Sequence, residues 1–259
     1  MRDFTITSYL SLLTALQNAG YRFCSYAQFN EQSFSTDDKV VVLRHDVDAR
    51  PLNSLLFAQL QKERGIIGTY YFRTVKESYD TSVIKAIAGM GHEIGYHYET
   101  MDTAGGNVDE AYRQFENYLA LFRNLAPITT ICMHGSPLSK YDNREIWKKY
   151  SYKNLGLIAE PYFDLDFDHV FYLTDTGRRW DGDKVSVRDK AMHPISNPLF
   201  TKLRFSSTSD IVSALVANKL PNKIMLTFHP QRWNNAMLPW CKELILQNLK
   251  NLVKRFIVR

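Results

Sequence analysis

Val40–Pro51 reads VVVLRHDVDARP. Its first four residues are apolar, and three of them are β-branched, which predicts a short strand that is buried on both faces. Charged residues follow at once, and Pro51 then opens a helical run, as proline does in the first turn of a helix. Asp46 and Asp48 therefore lie where a buried strand meets a helix, the position at which α/β proteins place their chemistry.

The carboxylates of Asp46 and Asp48 are close enough in sequence to repel one another. A cation should therefore hold them, and a metal ion is the simplest candidate. The alternative is a loop with one helix-capping aspartate and surface salt bridges. Capping requires a single acid, whereas this stretch offers two together with Arg44, His45 and Arg50, and this favours the functional interpretation.

The composition is that of a globular protein with a scattered positive charge. The chain has 259 residues and a net charge of +5, which suits one α/β barrel or a large doubly wound domain. Lysine and arginine are mixed with acids, so we expect no nucleic-acid partner, and a mild preference for anionic substrates fits better. Without an apolar leader or a run of roughly 20 apolar residues, we expect a cytoplasmic protein without a membrane span.

Strand and helix patterns alternate along the chain. Apolar and β-branched runs predict further strands over Ile66–Phe72, His92–Tyr98, Ile128–Met133, Leu155–Ala159, Val170–Thr174 and Ile224–Phe228. Helical spacing predicts a first helix capped by Thr7, then helices over Leu52–Arg64, Ser82–Met90 and Val108–Leu125, one capped by Thr208 or Ser209, and Leu238–Phe256. This alternation means a parallel sheet. A barrel is favoured because charged clusters follow at least four strands. We predict one catalytic domain over 1–259, with the N-terminal helical segment 1–38 packed on the barrel.

A second cluster of polar residues follows the third predicted strand. The segment Gly91–Asp102 reads GHEIGYHYETMD. His97 and Glu99 are two residues apart and share one side of an extended chain, and a neutral histidine beside a carboxylate is a common divalent-metal arrangement. A single histidine is more often a satisfied core residue, and we interpret His92, at the opposite end of that strand, in this way.

Later strands also end in polar residues. His134 ends the fourth predicted strand, Asp175 follows the strand near Tyr172, and His229 ends the last one. Charged groups and tryptophans at strand ends suit sugar binding, because an indole stacks on a sugar ring. The substrate-binding candidates are Arg50, Arg178, Trp180, Arg232 and Trp233. The alternatives are core packing for the two tryptophans, and an exposed turn for Arg178 and its neighbour Arg179.

Three motifs in this order resemble the polysaccharide deacetylase superfamily, of the NodB-homology or carbohydrate esterase family 4 type. They are the HDVD of His45–Asp48, the GHEIGYH of Gly91–His97 and the LTFH of Leu226–His229. The resemblance covers the chain from about Lys39 to Trp233. It implies an irregular (β/α) barrel with seven strands and a divalent metal that serves to remove acetyl groups from N-acetylated sugars. Zinc is the first candidate, with manganese, cobalt and nickel as alternatives.

The resemblance also implies roles for individual residues. Asp46 matches the family's general base, and Asp48 matches its metal-binding aspartate. His97 matches the first metal histidine, and His229 matches the late histidine that acts as general acid. Asp175 falls near the aspartate that orients the catalytic groups.

The sequence departs from the family pattern at two places. The family's second metal histidine lies four residues after the first, and that position is Met101, whose thioether is a poor zinc ligand beside carboxylates. Glu99, Asp102 or His134 would have to replace it. The family's Arg-Pro-Pro motif is also missing, with His134–Pro137 in roughly its place.

The expected function is therefore metal-dependent removal of an N-acyl group from an amino sugar, in the synthesis of an intracellular polysaccharide or O-antigen precursor. The substrate would be nucleotide-linked or lipid-linked, and the arginines suit a phosphate-bearing molecule. The alternative is a deacetylase-like barrel that has lost turnover and binds a glycan or a partner protein. Metal content separates the two, because a site without a third ligand should bind metal poorly.

Overall fold

The chain folds around seven parallel strands. The computed structural model describes residues 2–135, 139–180 and 195–257, with side chains described to residue 252 in the last segment. The strands are β1 Arg22–Cys24, β2 Val40–Val47, β3 Thr69–Phe72, β4 Glu93–Tyr98, β5 Ile131–Met133, β6 Phe171–Thr174 and β7 Lys223–Phe228. They form one sheet in the order β5-β4-β3-β2-β7-β6, and β1 also pairs with β2.

Helices connect these strands. They are α1 Ile6–Asn18, α2 Tyr26–Glu31, α3 Pro51–Lys62, α4 Thr81–Gly89, α5 Thr100–Thr103, α6 Val108–Arg123, α7 Pro161–Asp164, α8 Pro198–Lys202, α9 Thr208–Val216 and α10 Met237–Ile257. Short 3-10 helices cover Asn143–Lys148, Tyr152–Leu155 and Pro230–Arg232. Within the described ranges, no helix is both long and apolar enough to cross a bilayer.

Strand β2 is the centre of the sheet and is buried along its whole length. Its first half pairs with β1 and its second half with β3, while β7 pairs along its other edge. The sheet is curled, since the guanidinium of Arg44 on β2 reaches to 5.4 Å from the ring of Tyr162 in α7, the helix beyond β5. Strands β5 and β6 do not pair with each other in the described part of the chain. The predicted α/β fold, an irregular parallel (β/α)7 barrel, is confirmed, and the barrel is open between its end strands.

The two faces of β2 have different neighbours. Arg44 and Asp46 share the concave side, where they contact each other. His45 points the other way, into the layer between the sheet and the helices. Its Nδ1 lies 3.0 Å from the carbonyl oxygen of Thr69 and its Nε2 lies 3.0 Å from Nε2 of Gln61. Alternation along one strand thus separates the candidate site from the structural core.

The predicted elements differ from the structure mainly where runs are short. Strand β1 and helix α2 were not predicted, because three and six residues carry too little periodicity to be recognised. The predicted strand over Leu155–Ala159 is wrong, since only Ala159 forms an isolated bridge, to Thr130. Gly156 has a φ of 70°, and this left-handed residue interrupts the extended run.

Two helices begin earlier than predicted. Thr5 rather than Thr7 caps α1, and Ser207 rather than Thr208 or Ser209 caps α9. In both cases a capping box forms. The cap side chain accepts a hydrogen bond from the backbone N–H three residues on, and the side chain of that residue accepts one from the backbone N–H of the cap residue. At α3 the prediction is confirmed, because Pro51 is its first residue.

Candidate active site

Parallel strands bring their carboxyl ends to the same edge of the sheet, and three histidines meet there around Asp48. The distance from Asp48 Oδ1 is 3.7 Å to His97 Nε2 and 3.7 Å to His134 Nε2. The other oxygen, Oδ2, lies 3.8 Å from His229 Nε2. These residues follow or end strands β2, β4, β5 and β7, so the cluster depends on the whole sheet.

His97 presents an unprotonated nitrogen to this cluster. Its Nδ1 lies 2.9 Å from the carbonyl oxygen of Cys132, and since a carbonyl oxygen only accepts, Nδ1 carries the hydrogen. Burial, with a further contribution from His134, lowers the pKa of His97 to about 3, so the ring is neutral. The lone pair on Nε2 therefore faces the carboxylate oxygens of Asp48 and Asp46, at 3.7 and 3.9 Å. A cation between these atoms would turn their mutual repulsion into attraction.

His134 is oriented by a carboxylate that is itself fixed. Its Nδ1 lies 2.8 Å from Glu99 Oε2, and Arg73 donates two hydrogen bonds to Glu99, at 3.0 and 2.7 Å. Burial raises the pKa of Glu99, but the contacts with His134 and Arg73 outweigh it and hold the pKa at about 2. The negative charge of Glu99 beside Nδ1 favours hydrogen on that nitrogen and leaves Nε2 available towards Asp48, as in metal-binding histidines that have a carboxylate behind them.

Asp48 provides the test of whether a metal ion fits. Its side chain is 22% exposed, yet its Oδ1 is buried and has no hydrogen-bond partner among the described residues. Burial raises the pKa of this carboxyl, but His134, His229 and His97 lower it by more. The net shift of the pKa is downward, so the carboxyl is charged. A charged, buried and unpartnered oxygen beside two imidazole nitrogens matches the three-ligand set of catalytic zinc sites. Asp48, His97 and His134 therefore fit a divalent cation.

Asp46 lies beside this set but is held differently. Both of its oxygens accept hydrogen bonds from Arg44, at 2.8 and 2.7 Å. Asp46, His97 and Cys132 also have potential ligand atoms within 4.8 Å of one another. The guanidinium of Arg44 makes that second group a poorer cation site, because it already compensates the charge of Asp46.

His229 is supported by Asp175, which is fully buried. His229 Nδ1 lies 2.5 Å from Asp175 Oδ1, which also accepts from Arg232 at 3.1 Å. Asp175 Oδ2 accepts from the His229 backbone N–H at 2.9 Å and from Trp233 Nε1 at 2.7 Å. Burial and Arg232 lower the pKa of His229, but Asp175 and Asp48 outweigh them, so the net shift is upward. The protonated ring can therefore direct Nε2–H towards the site.

The structure does not support the prediction that Trp180 and Trp233 stack on a sugar. Their exposed fractions are 3% and 1%. Trp180 donates from Nε1 to Thr208 Oγ1 and packs edge-on against Phe228, and Trp233 supports Asp175. Both indoles are packed in the core, where each contacts the ring of Phe228 and the other indole.

Two of the three predicted substrate arginines are also internal. Arg178 donates to the carbonyl of Trp240 at 3.0 Å and lies 4.8 Å from its ring, while Arg232 is buried against Asp175. Arg50 differs, because its side chain is 43% exposed and touches the carbonyl of Gln231 at 3.3 Å. Of these three arginines, Arg50 is the one placed to meet a ligand. Ser136 and Pro137 of the fourth motif lie outside the described residues.

The position of the missing family histidine is occupied by a core residue. Met101 is buried, and its backbone N–H donates to Asn143 Oδ1 at 2.9 Å. Asp102 accepts a hydrogen bond from Ser139. His134, from the neighbouring strand end, stands beside His97 in its place, with ring centroids 5.2 Å apart.

Sequence reasoning gave no individual role to Arg44 and Arg73, whose guanidinium groups contact Asp46 and Glu99. Arg44 precedes Asp46 by two residues, and in a strand that spacing puts both on one side. Arg73 directly follows β3, and its role depends on the contact with Glu99, 26 residues away. The first signal was present in the sequence, and the second required the fold.

No family model matches the chain, and no curated protein matches its sequence. The chain is similar to solved structures of carbohydrate esterase family 4. One is a pseudoenzyme of that family from Bacillus anthracis, with 13% identity over 85% of this chain and a TM-score of 0.46. Another is a family 4 carbohydrate esterase from Bacillus anthracis, with 10% identity, 93% of this chain and 85% of that chain covered, and a TM-score of 0.44.

A third is Bacillus subtilis PdaA, a family 4 carbohydrate esterase, with 12% identity and a TM-score of 0.41. The match covers 93% of this chain and 84% of that chain. This chain spans 63–65% of the length of the pseudoenzyme structures.

Proposed function

We propose that this chain is a divalent-metal-dependent hydrolase that removes an N-acyl group from an amino sugar. The observation that carries the proposal is the buried, unpartnered Oδ1 of Asp48, with His97 and His134 directing their Nε2 atoms towards it. The resemblance of the HDVD and GHEIGYH motifs to deacetylases supports an N-acetyl group as the acyl group. The roles below follow from the chemistry of an amide.

Asp48, His97 and His134 would hold the metal, with Glu99 and Arg73 behind His134. When bound there, a divalent cation supplies a Lewis acid that polarises a carbonyl and acidifies water. Two imidazole nitrogens and one carboxylate oxygen suit zinc, and manganese, cobalt and nickel accept the same donors. Glu99, which the sequence left as a candidate ligand, acts in this proposal as the group that orients His134.

Asp46 would be the general base. Its carboxylate oxygen Oδ2 lies 3.9 Å from Nε2 of His97, at the edge of the metal-binding set. The two hydrogen bonds from Arg44 fix its orientation and compensate its charge, so that it stays in place next to the incoming water. Asp46 takes the proton of the water that attacks the acyl carbonyl.

His229 would be the general acid. An amine anion is a poor leaving group, so the amide nitrogen must receive a proton as its bond to the acyl carbon breaks. Asp175 binds the hydrogen on Nδ1, which leaves the Nε2 hydrogen to be donated. After transfer, the neutral ring keeps its hydrogen bond to Asp175, and the side chain does not need to move.

The substrate class is an amino sugar of a polysaccharide or O-antigen precursor. Arg50 is exposed at the mouth of the site, within 3.3 Å of the carbonyl of Gln231, and Gln231 in turn lies 3.3 Å from Asp48 Oδ2. A guanidinium there suits a phosphate that is attached to the sugar. This supports a nucleotide-linked or lipid-linked sugar over a neutral one.

The test measures metal content and acetate release together. The purified chain is loaded with zinc, manganese, cobalt or nickel and is offered N-acetylglucosamine oligosaccharides and a nucleotide-linked N-acetylated sugar. We expect one metal per chain and metal-dependent acetate release, both lost in Asp48→Asn. The matched control is Asp37→Asn, which changes an exposed acid before the opposite end of β2.

A chain that binds no metal, with Asp48→Asn and Asp37→Asn indistinguishable, would refute the proposed site. Metal binding that depends on Asp48 but gives no acetate from any of these sugars would instead favour the inactive barrel that binds a glycan or a partner protein.

A further inference from the structure

Helix α10 has the polarity opposite to that of an ordinary surface helix. Gln247 and Asn251 are buried, although both are polar. They bond to each other at 2.9 Å, and Asn251 also donates to the carbonyl of Gly177 at 2.9 Å. Most of the described large apolar side chains of α10 are exposed, with Leu238 at 84% and Ile245 at 61%, whereas Trp240 and Leu244 are half-buried. The side that faces the domain is therefore satisfied by hydrogen bonds, and the exposed apolar side has no partner in the part of the chain that the structure describes.

The exposed residues form one surface, which we call the outer face of α10. It consists of Leu238, Ile245, Leu246, Leu249 and Leu252, each more than 40% exposed. Spacings of seven, four and three residues keep Leu238, Ile245, Leu249 and Leu252 on one side of the helix, and Leu246 lies at the edge of that stripe. At 1.5 Å per residue the stripe is about 21 Å long. Apolar surfaces of this kind are uncommon on soluble monomers and mark interaction sites.

The charges of α10 are almost all positive. Its sequence contains four basic residues and one acid, Glu243. Glu243 is mostly buried and lies 3.8 Å from Arg50. Lys242 and Lys250 are exposed and flank the middle of the outer face. The surface therefore combines a leucine stripe with positive charge. A binding partner that matches it would be apolar and anionic.

A second copy of the chain does not supply that complement. If two outer faces packed antiparallel about Leu246, Lys242 of each copy would lie opposite Lys250 of the other. A parallel pair would place identical lysines side by side. Either arrangement brings like charges together without an exposed acid of α10 to compensate them, which is unfavourable in an apolar contact.

We propose that the outer face of α10 binds the surface of a membrane that contains anionic lipids. Basic amphipathic helices lie in the plane of the interface, with leucines inserted among the acyl chains and lysines at the phosphates. A bilayer needs no groove to receive a convex helix, whereas a protein partner would need one to cover this stripe.

The position of α10 connects this surface to the site. Helix α10 follows the Pro230–Arg232 turn, whose Gln231 contacts Asp48, and its Glu243 contacts Arg50 at the mouth. Since Glu243 lies on the side of α10 that faces the domain, a chain held by α10 would keep the mouth about one helix diameter, roughly 10 Å, from the headgroups, where a lipid-linked amino sugar lies. That choice of substrate rests on the proposed function, whereas membrane binding itself does not.

The experiment measures binding of the full chain to vesicles by flotation, with phosphatidylcholine alone or mixed with phosphatidylglycerol. We expect binding to the mixed vesicles and weak binding to phosphatidylcholine alone. Ile245→Ser combined with Leu249→Ser should reduce binding by roughly 10-fold or more, because each inserted side chain contributes transfer free energy. The matched control combines Leu121→Ser with Val216→Ser, which changes exposed apolar residues on α6 and α9.

A second pair of changes tests the charge. Lys242→Glu with Lys250→Glu should weaken binding to the mixed vesicles and leave the weak binding to phosphatidylcholine unchanged. The proposal is overturned if the native chain does not float with the mixed vesicles, or if the control variant loses binding as strongly. It is also overturned if the serine variant converts a dimer to a monomer, which would assign the outer face to a second copy.

Discussion

The two sides of strand β2 both bury histidine, and they differ in whether its polar atoms are satisfied. On the helix side, both nitrogens of His45 lie within hydrogen-bond distance of Thr69, Gln61 or Tyr9, and the ring stacks on Tyr70 at 4.1 Å. On the concave side, His97 directs a lone pair at carboxylates, and Asp48 keeps an unpartnered oxygen. A buried histidine with complete partners stabilises the fold, whereas unpaired ligand atoms that converge indicate a site that needs something else.

The largest effect should come from His229, because it has a chemical task. In His229→Ala, amide hydrolysis should fall by roughly 10²–10⁴-fold. An activated ester should be affected much less, because its leaving group needs little protonation, and metal content should stay the same. Kinetics on both substrates, with metal analysis, check this. Loss of metal would make His229 a ligand, and equal losses on both substrates would make its role positional.

The next effect concerns the support behind His134. Glu99→Gln removes the charged acceptor that favours hydrogen on Nδ1, and metal affinity should fall by roughly 10–100-fold. Direct metal titration measures this without relying on activity. Arg73→Met should weaken affinity in the same direction by a smaller factor, since Glu99 remains. Unchanged affinity in both variants would separate Glu99 from the metal site.

On the helix side of β2 the expected effect is on stability. Burial lowers the pKa of His45 to about 3, below the value of about 6.5 in an unfolded chain. The unfolded state therefore binds more protons between these two pH values. The contribution of neutral His45 to the free energy of unfolding is intact above pH 6.5 and is lost progressively as the pH falls towards 3.

Between pH 7 and 5, His45 alone should reduce the free energy of unfolding by about 2 kcal/mol. Denaturant unfolding of the native chain and of His45→Gln, at both pH values, isolates this difference, because other groups titrate in both proteins. Equal pH dependence in the two proteins would show that His45 becomes protonated without unfolding.

The smallest effect should be at the position of the missing family histidine. Met101→Leu preserves volume and apolarity in a buried position, so metal affinity should be nearly unchanged and stability should change by less than about 1.5 kcal/mol. A large loss of metal affinity in this variant would return Met101 to the site and remove the case for His134.

The sequence by itself determined the central strand, the parallel alternation and the residues at the strand ends. These depend on local patterns: β-branched runs, the first-turn Pro51, and charge placed directly after apolar segments. The same reasoning placed Asp48, His97 and His229 at one edge, because parallel strands all end there.

Only the tertiary structure decided which side chains lie next to one another. The sequence left Glu99, Asp102 and His134 as replacements for the missing histidine, and the pairing of β4 with β5 places His134 beside His97. For Trp180 and Trp233 the sequence left sugar stacking and core packing equally open, and in the structure both pack in the aromatic layer under β7. The sequence also did not predict the inverted polarity of α10, because a helical pattern of leucines does not indicate which side of the helix packs against the domain. In each case the deciding contact joins residues that the chain keeps far apart, and strand register and packing set that distance, whereas local propensity does not.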